Sequence, residues 1–256
     1  MSAEADKEIQ QLKNRFRELA DKSYTKNIFT FSGFLGLNEQ DVFWRMEEEL
    51  KYVPYSFFGG SGQTDRKVLR FGSPEELGYE EAFPIVCVHI KPLSEKFADD
   101  FSHRDFLGAL MNLGIDRSTL GDILVGGREG YLFCLDSIAE YICMNLEQVR
   151  HTHVKCSVVE DVKEIVQEAP REEMAQVSSE RADAVAAKVY RQSRNEMLGL
   201  FRAGKVYVNG RLCENNARLL KAGDTVNVRG FGKFVYNGPL YETKKGKLNV
   251  QILIYR

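Results

Sequence analysis

The chain has 256 residues, 43% of them hydrophobic and 28% charged, which is typical of a folded globular protein and excludes a disordered or fibrous one. No apolar run approaches the roughly 20 residues that a membrane-spanning helix needs. The polar N-terminal segment lacks the apolar centre of a secretory signal. We therefore expect a cytoplasmic protein without membrane association, long enough for two or three small domains.

The formal net charge of -2 conceals an uneven distribution of charge along the chain. Residues 181–256 contain 15 Lys and Arg against 5 Asp and Glu, whereas residues 1–180 contain 20 against 32. Clustered basic charge at one end of an acidic chain is the usual electrostatic footprint of binding to a polyanion such as nucleic acid. A merely solvated basic surface is the alternative.

Helical periodicity begins the chain, over residues 5–21 and again over residues 38–51. Asn38 is the predicted N-cap of the second helix. A strand, a glycine turn and a returning strand are predicted between residues 52 and 72. Residues 1–83 are therefore predicted to form an N-terminal α/β region of helices and a hairpin.

Residues 84–165 alternate between strand and helix patterns. The segments in order are the strand FPIVCVHI, the helix RDFLGALMNLG, the strands DILVGG and GYLFCLD, the helix SIAEYICMNLEQV and the strand HVKCSVVE. This βαββαβ order predicts a ferredoxin-like module, a plan shared with RNA-recognition folds. The acidic stretch from Lys163 to Glu180, which includes Pro170, is the predicted domain junction.

The basic C-terminal module has dense local signals. The apolar face of a short predicted helix is formed by Ala182, Val185, Ala186 and Val189. Ser193 and Glu196 form a capping box for a second helix, which Gly204 ends. Asn209-Gly210 predicts a type I′ hairpin turn, because that turn needs positive φ at both positions. Together these signals predict two short helices packed on a small sheet.

This set of features resembles the S4 RNA-binding domain. The resemblance rests on Arg181-Ala182-Asp183, Ser193-Arg194, the AGKVYVNG segment of residues 203–210, and Lys221-Ala222-Gly223-Asp224. Ala182 stands where these domains usually have Leu, a departure that concerns local packing. The resemblance implies an α+β chain whose residues 178–256 form an S4 (αL-type) domain.

The resemblance also implies which residues contact RNA. The candidates in this domain are Arg181, Lys188, Arg191, Ser193, Arg194, Lys205, Asn209, Arg211, Arg229 and Lys233. Asn209 and Gly210 are expected to act chiefly through the shape of the turn. Cations near a helix start and a hairpin suit RNA, because RNA helices are read mainly by backbone and shape.

Most of the chain is similar to the YlmH-type S4 proteins. The shared blocks, in order, are FSGFLGLNEQDVF, GGSGQTDRKVL, HRDFLGALMNLGIDRSTLGDILV and VRGFGKF. The family implies a non-catalytic RNA-binding protein that meets rRNA and tRNA on the large ribosomal subunit and acts on stalled peptidyl-tRNA in ribosome-associated quality control. It implies no cofactor and a monomer off the ribosome. Arg104 and Arg117 of the third block are further RNA-binding candidates, and bacterial or plastid lineage stays open.

The sequence contains little that supports an enzymatic function. His103-Arg104-Asp105 resembles a kinase catalytic loop, but Leu110 stands where that loop needs Asn, and Ser102 with Asp105 fits a helix capping box instead. No motif of a synthetase, methyltransferase or pseudouridine synthase is present. An RNA-modifying enzyme and a general ribosome assembly factor, each using S4 to dock on RNA, remain the alternatives.

Two further residue patterns are compared with those of ligand-binding sites. His151 and His153 share a strand face, but Cys156 points the other way and no fourth ligand is evident, so we expect no metal site. Tyr131 and Phe133 alternate onto one face of a strand, which is typical either of a base-stacking platform or of a core beneath helices. The core is the preferred interpretation.

Overall fold

The computed structural model describes residues 3–62, 64–159, 171–244 and 246–255. The chain divides into two compact units, unit 1 at residues 1–167 and unit 2 at residues 168–256. Part of the predicted junction, including Pro170, lies outside the described residues. Among the helices described, none is both long and apolar enough to cross a membrane.

Helices and a small antiparallel sheet form the first part of unit 1. The elements are α1 (Ala3–Lys26), β1 (Thr30–Leu35), α2 (Leu37–Leu50), β2 (Tyr55–Phe58), β3 (Lys67–Phe71) and α3 (Pro74–Leu77). The strand order is β1-β3-β2. Phe43 of α2 packs edge-to-face on Phe16 of α1, with ring centroids 5.7 Å apart, and both rings are fully buried. Helices α1 and α2 therefore pack against each other through aromatic side chains.

The start of α2 differs from the prediction. Gly36, not Asn38, is the N-cap, and its N–H donates to the Glu39 carboxylate at 2.6 Å. The helix begins directly after β1 ends, so the chain reaches helical geometry before Asn38. The Glu39 carboxylate, three residues into the helix, satisfies the backbone N–H of the N-cap residue itself, which is one half of a capping box.

The second part of unit 1 is a five-stranded antiparallel sheet with two helices. Its elements are β4 (Ile85–Pro92), α4 (His103–Asn112), β5 (Leu120–Gly126), β6 (Glu129–Leu135), α5 (Asp136–Asn145), β7 (Gln148–Val149) and β8 (Thr152–Val159), with 3₁₀ turns at Glu95–Phe97 and Arg117–Thr119. The strand order is β5-β6-β4-β8-β7. Phe106 and Leu110 of α4 and Ile142 of α5 share one core with Val88 and Leu132 of the sheet. All six segments predicted in this part of the chain are present, but the second helix ends at Asn145, and Gln148–Val149, predicted as its last residues, form β7 by pairing with β8.

Unit 2 consists of a six-stranded sheet and two helices. Its elements are β9 (Arg171–Val177), α6 (Ala182–Val189), α7 (Arg194–Arg202), β10 (Val206–Val208), β11 (Arg211–Leu212), β12 (Asp224–Val228), β13 (Gly232–Glu242) and β14 (Leu248–Tyr255). The strand order is β11-β10-β12-β13-β14-β9. Val185, Met197 and Phe201 of the helices share one buried core with Val206 and Phe234 of the sheet.

Strand β9 belongs to unit 2, although the S4 domain was predicted to start at residue 178. Its seven residues pair with β14, from Arg171 opposite Ile254 to Val177 opposite Leu248. Its inward side chains Ala175 and Val177 are small, and Met174 on the other face is 67% exposed. With so little apolar alternation, the segment resembles an acidic linker in sequence, and its pairing with β14 makes it a strand.

Candidate nucleic-acid interface

The corner between α6 and α7 is a tight turn with defined backbone hydrogen bonds. Arg191 adopts a left-handed conformation with φ of 54°. The N–H of Gln192 then donates to the carbonyl of Ala187 at 2.9 Å, which closes the end of α6. The hydroxyl of Ser193 accepts from the N–H of Glu196 at 3.2 Å and caps α7. Ser193 was a predicted RNA contact, and here its hydroxyl serves the helix.

Three of the predicted RNA-binding cations line a groove at this corner. The groove has a volume of about 370 Å³ and is lined by Lys188, Arg191 and Arg194 on the helix side and by residues 176–178 on the strand side. All three cations are exposed. We call this feature the corner groove. A concave surface lined by several cations attracts anions, because their fields add there.

Asp183 lies beneath the predicted RNA contacts Arg181 and Arg194, and its side chain is only 1% exposed. Arg181 donates to both carboxylate oxygens, with Nε at 3.0 Å and Nη2 at 2.8 Å. Asn216 donates to the same group through Nδ2 at 2.8 Å, and Arg194 through Nη2 at 3.4 Å. The carboxylate therefore holds one arginine firmly and restrains the other, while leaving 55% of the Arg194 side chain exposed.

The charge of Asp183 is maintained by these partners. Burial opposes ionisation of the carboxyl, but the hydrogen bonds from Arg181 and Asn216 and the charges of Arg181 and Arg194 outweigh it, so the pKa is held below its usual range. An ionised Asp183 thus positions Arg181 and Arg194 at neutral pH. Asp183 was not among the predicted site residues, although an acid placed among cations at a helix start was the available signal.

A second group of cations, the sheet-end cluster, is formed by Lys205, Arg229 and Lys233. The N–H of Arg229 donates to the carbonyl of Lys205 at 2.9 Å, which fixes their backbones side by side where β10 and β12 pair. Lys233 is the second residue of β13, and its ammonium lies 5.7 Å from the ring centroid of Tyr255. Lys205 and Arg229 are exposed, and Lys233 is half-buried. The predicted cations of this region therefore gather at one end of the sheet.

The side-chain amide of Asn209 has a structural role in the hairpin. Asn209 and Gly210 have φ of 54° and 76°, as a type I′ turn requires. The Asn209 amide donates to Asp224 at 2.7 Å and accepts from the N–H of Thr225 at 2.8 Å. Both ends of the amide are thus used inside the unit. Arg211 follows on the edge strand β11, where it is exposed.

Arg117, a predicted RNA contact, has internal hydrogen-bond partners in the structure. Its Nη1 donates to the carbonyls of Leu120 at 2.6 Å and Gly121 at 3.3 Å. The neighbouring Arg66 donates to the carbonyls of Leu120, Phe34 and Arg117, at 2.9 to 3.1 Å. The Arg66 guanidinium therefore ties β1 of the N-terminal sheet to the segment of residues 117–120, and the Arg117 guanidinium holds the start of β5.

Burial and charge act together on Arg117. Desolvation and the nearby Arg66 charge lower its pKa to about 10, against the opposing charges of Asp122 and Glu39. The group stays protonated at neutral pH. Asp122 also accepts from the backbone N–H groups of Asp65 and Arg66, which completes the network.

Arg104 remains an exposed cation on α4. It lines a groove of about 560 Å³ together with Arg150. The predicted capping role of the adjacent residues is confirmed, because Asp105 accepts from the backbone N–H of Ser102 at 2.8 Å and from its hydroxyl at 2.7 Å. These hydrogen bonds lower the pKa of Asp105. The HRD segment is thus a helix start.

Tyr131 and Phe133 point away from the two helices, so the predicted core beneath the helices is wrong for them. Phe133 is nevertheless buried, 1% exposed, in a separate core with Phe34 and Val68 of the N-terminal sheet. Tyr131 is half-buried and stacks on His89, with ring centroids 4.5 Å apart. The N-terminal sheet therefore covers one of the two aromatic positions on which a base could stack.

The cysteine and histidine candidates do not form a cluster. Cys156 faces the helix-side core, and His153, three residues earlier on β8, is exposed. In the part of the chain that the structure describes, no three His, Cys, Asp or Glu side chains are grouped so that they could hold a metal ion.

Comparison with known proteins places these features in a family. Residues 79–163 match the family model described as "Putative RNA-binding domain in YlmH". The chain is 30% identical over 207 residues to the ribosome-associated protein quality control protein P2 of Bacillus subtilis (strain 168), an alignment that covers 77% of each protein. A solved structure, cell division protein ylmH from Streptococcus pneumoniae, is 15% identical with a TM-score of 0.48, covering 64% of this chain and 96% of that one. The chain belongs to the YlmH family.

Proposed function

We propose that this protein binds structured RNA of the large ribosomal subunit, including rRNA and tRNA, and stabilises stalled peptidyl-tRNA complexes in ribosome-associated quality control. The observation that carries the proposal is the corner groove, which is lined by three cations and whose Arg194 is restrained by the buried Asp183. The name of the Bacillus subtilis relative supports a ribosomal role. The matched family model supports RNA as the ligand.

The two RNA-binding modules of the proposal are a ferredoxin-like module at residues 84–165 and an S4 domain at residues 178–256. The strand order β5-β6-β4-β8, with α4 and α5 following β4 and β6 and packing into one core, supports the first assignment. The second is supported by the two short helices, the cation corner and the Asn209-Gly210 hairpin. Residues 1–83 would then be an N-terminal region that covers part of the sheet.

The predicted RNA-binding residues include exposed cations and residues whose side chains have partners within the fold. The corner groove and the sheet-end cluster supply the phosphate contacts, together with Arg181, and exposed Arg211 and Arg104 extend them. Such contacts fix position and orientation, and they read the shape of RNA more than its sequence. Ser193 and Asn209 support the fold around the sites of unit 2, and Arg117 supports the fold of unit 1.

The proposal is of a binding factor without a catalytic site, a cofactor or a metal. The groups that resembled catalytic or metal-ligating residues have structural partners, as Asp105 and Cys156 show. We propose a cytoplasmic protein that is monomeric off the ribosome.

The affinity of the protein for RNA should fall steeply as salt is added. If about four phosphates are contacted, the dissociation constant for an rRNA fragment should rise roughly a hundredfold between about 50 and 200 mM salt, because each contact releases condensed counterions. Fluorescence anisotropy of a labelled rRNA hairpin across a salt series measures the slope. A flat salt dependence would contradict phosphate contacts as the source of affinity.

A further inference from the structure

The turn between β12 and β13 holds an aromatic ring out of the core. Phe231 lies at the turn and is 41% exposed. Its N–H donates to the carbonyl of Val228 at 2.9 Å, and the flanking Gly230 and Gly232 have φ of 90° and 97°. These backbone conformations suit glycine and strain other residues. The turn thus fixes an apolar ring in an outward position.

A second ring supports Phe231 from behind. The Tyr190 ring lies 5.5 Å from the Phe231 ring, centroid to centroid, and its hydroxyl donates to the carbonyl of Gly232 at 2.7 Å. Tyr190 also packs edge-on against the buried Phe234, with centroids 5.8 Å apart. Phe231 is therefore braced on one side against rings anchored in the core, while part of its surface stays open.

The charges around this ring indicate the chemistry of its ligand. Arg229 precedes Phe231 by two residues and Lys233 follows it by two, so two cations of the sheet-end cluster are attached at the two ends of the turn that carries the ring. Lys205 is hydrogen-bonded through its backbone to Arg229, and Arg191 follows Tyr190 in sequence. A flat apolar surface among cations matches a nucleotide, which pairs an aromatic face with a phosphate.

We infer that Phe231 is a stacking site for one unpaired base of bound RNA, with Arg229 and Lys233 contacting the phosphates beside it. The inference rests on the proposed function, since it names the feature of RNA that the sheet-end cluster recognises. A paired base is already stacked in its helix, so the site selects a bulged or single-stranded nucleotide.

The test compares three RNA hairpins of one sequence: fully paired, with one bulged adenosine, and with an abasic sugar at the bulge. The wild-type protein should bind the adenosine bulge about tenfold more tightly than the abasic one, the effect of one base–aromatic stack. Phe231→Ala and Phe231→Leu should both lose this preference, while Phe231→Trp keeps it. The Leu variant preserves apolar packing on Tyr190, so its loss isolates stacking from structure.

A matched control and a direct signal complete the experiment. Tyr241→Ala removes another exposed aromatic of β13, 57% exposed, and should leave the preference unchanged. In F231W, fluorescence of the introduced indole should be quenched by the adenosine bulge and not by the abasic one. Thermal melting of each variant confirms folding.

The outcomes separate this inference from the proposed function. If the wild-type protein binds all three hairpins equally, or if the folded Ala variant keeps the preference, Phe231 is not a stacking site although RNA binding stands. If the wild-type protein binds no hairpin, both ideas fail.

Discussion

Combining Arg194→Ala with Lys205→Glu is expected to weaken RNA binding about a hundredfold while leaving unit 2 folded. Each side chain is exposed, and each supplies a charge-assisted contact in the proposed interface, so losing two such contacts accounts for an effect of this order. Alanine is chosen at residue 194 because a carboxylate there would repel the buried Asp183. Alanine also suits the first turn of α7.

The control for this variant reverses charge elsewhere. Lys22→Glu with Lys26→Glu changes two exposed lysines of α1 and should leave RNA affinity nearly unchanged. Anisotropy at one fixed salt concentration compares the two variants, and circular dichroism checks their folding. Wild-type affinity in the folded Arg194 and Lys205 variant would remove these residues from the interface.

Replacing Phe133 with alanine should lower the free energy of unfolding of unit 1 by about 3 to 5 kcal/mol, the usual loss when a buried phenylalanine is truncated. Phe133 is 1% exposed, and a Cβ added at Gly60 would overlap its ring. The ring therefore fills a closely packed site between two sheets. RNA affinity of the folded variant should be unchanged.

Trp44 provides the measurement for this prediction. It is the single tryptophan of the chain and packs at the core of α1 and α2, so its fluorescence during urea denaturation follows unit 1 alone. Tyr131→Ala, on the same strand face but half-buried, should cost less stability. Unchanged stability with lost RNA binding in F133A would show that Phe133 serves as a base-stacking platform after all.

The sequence predicted those elements whose signals are local. Ser193 and its capping partner, the Asn209-Gly210 turn and the strand–helix succession of residues 84–160 depend on neighbours in the chain, and the structure confirms them. Strand β9 was missed because its pairing with β14 is long-range and its inward residues are small. Local patterns cannot identify a strand that is specified mainly by its partner.

The sequence predicted which cations belong to the candidate site, but it could not predict which of them are exposed and which have internal partners. Arg117 and Lys205 look equivalent in sequence, and only the fold shows that Arg117 donates to internal carbonyls. Period-two alternation placed Tyr131 and Phe133 on one face, but it could not show that a second sheet covers part of that face. Asp183 lies between Arg181 and Arg194 in a local pattern that the sequence does contain, and only the contact with Asn216 depends on a residue far along the chain.

Co-sedimentation of the purified protein with bacterial large ribosomal subunits, prepared with and without bound peptidyl-tRNA, tests the central claim most directly. The proposal predicts that the protein sediments preferentially with the subunits that carry peptidyl-tRNA, and that added salt releases it. Equal binding to both preparations would contradict a role on stalled complexes and favour a general ribosome or assembly factor. Binding to neither would contradict the ribosomal proposal and direct attention to free RNAs as substrates of an enzyme.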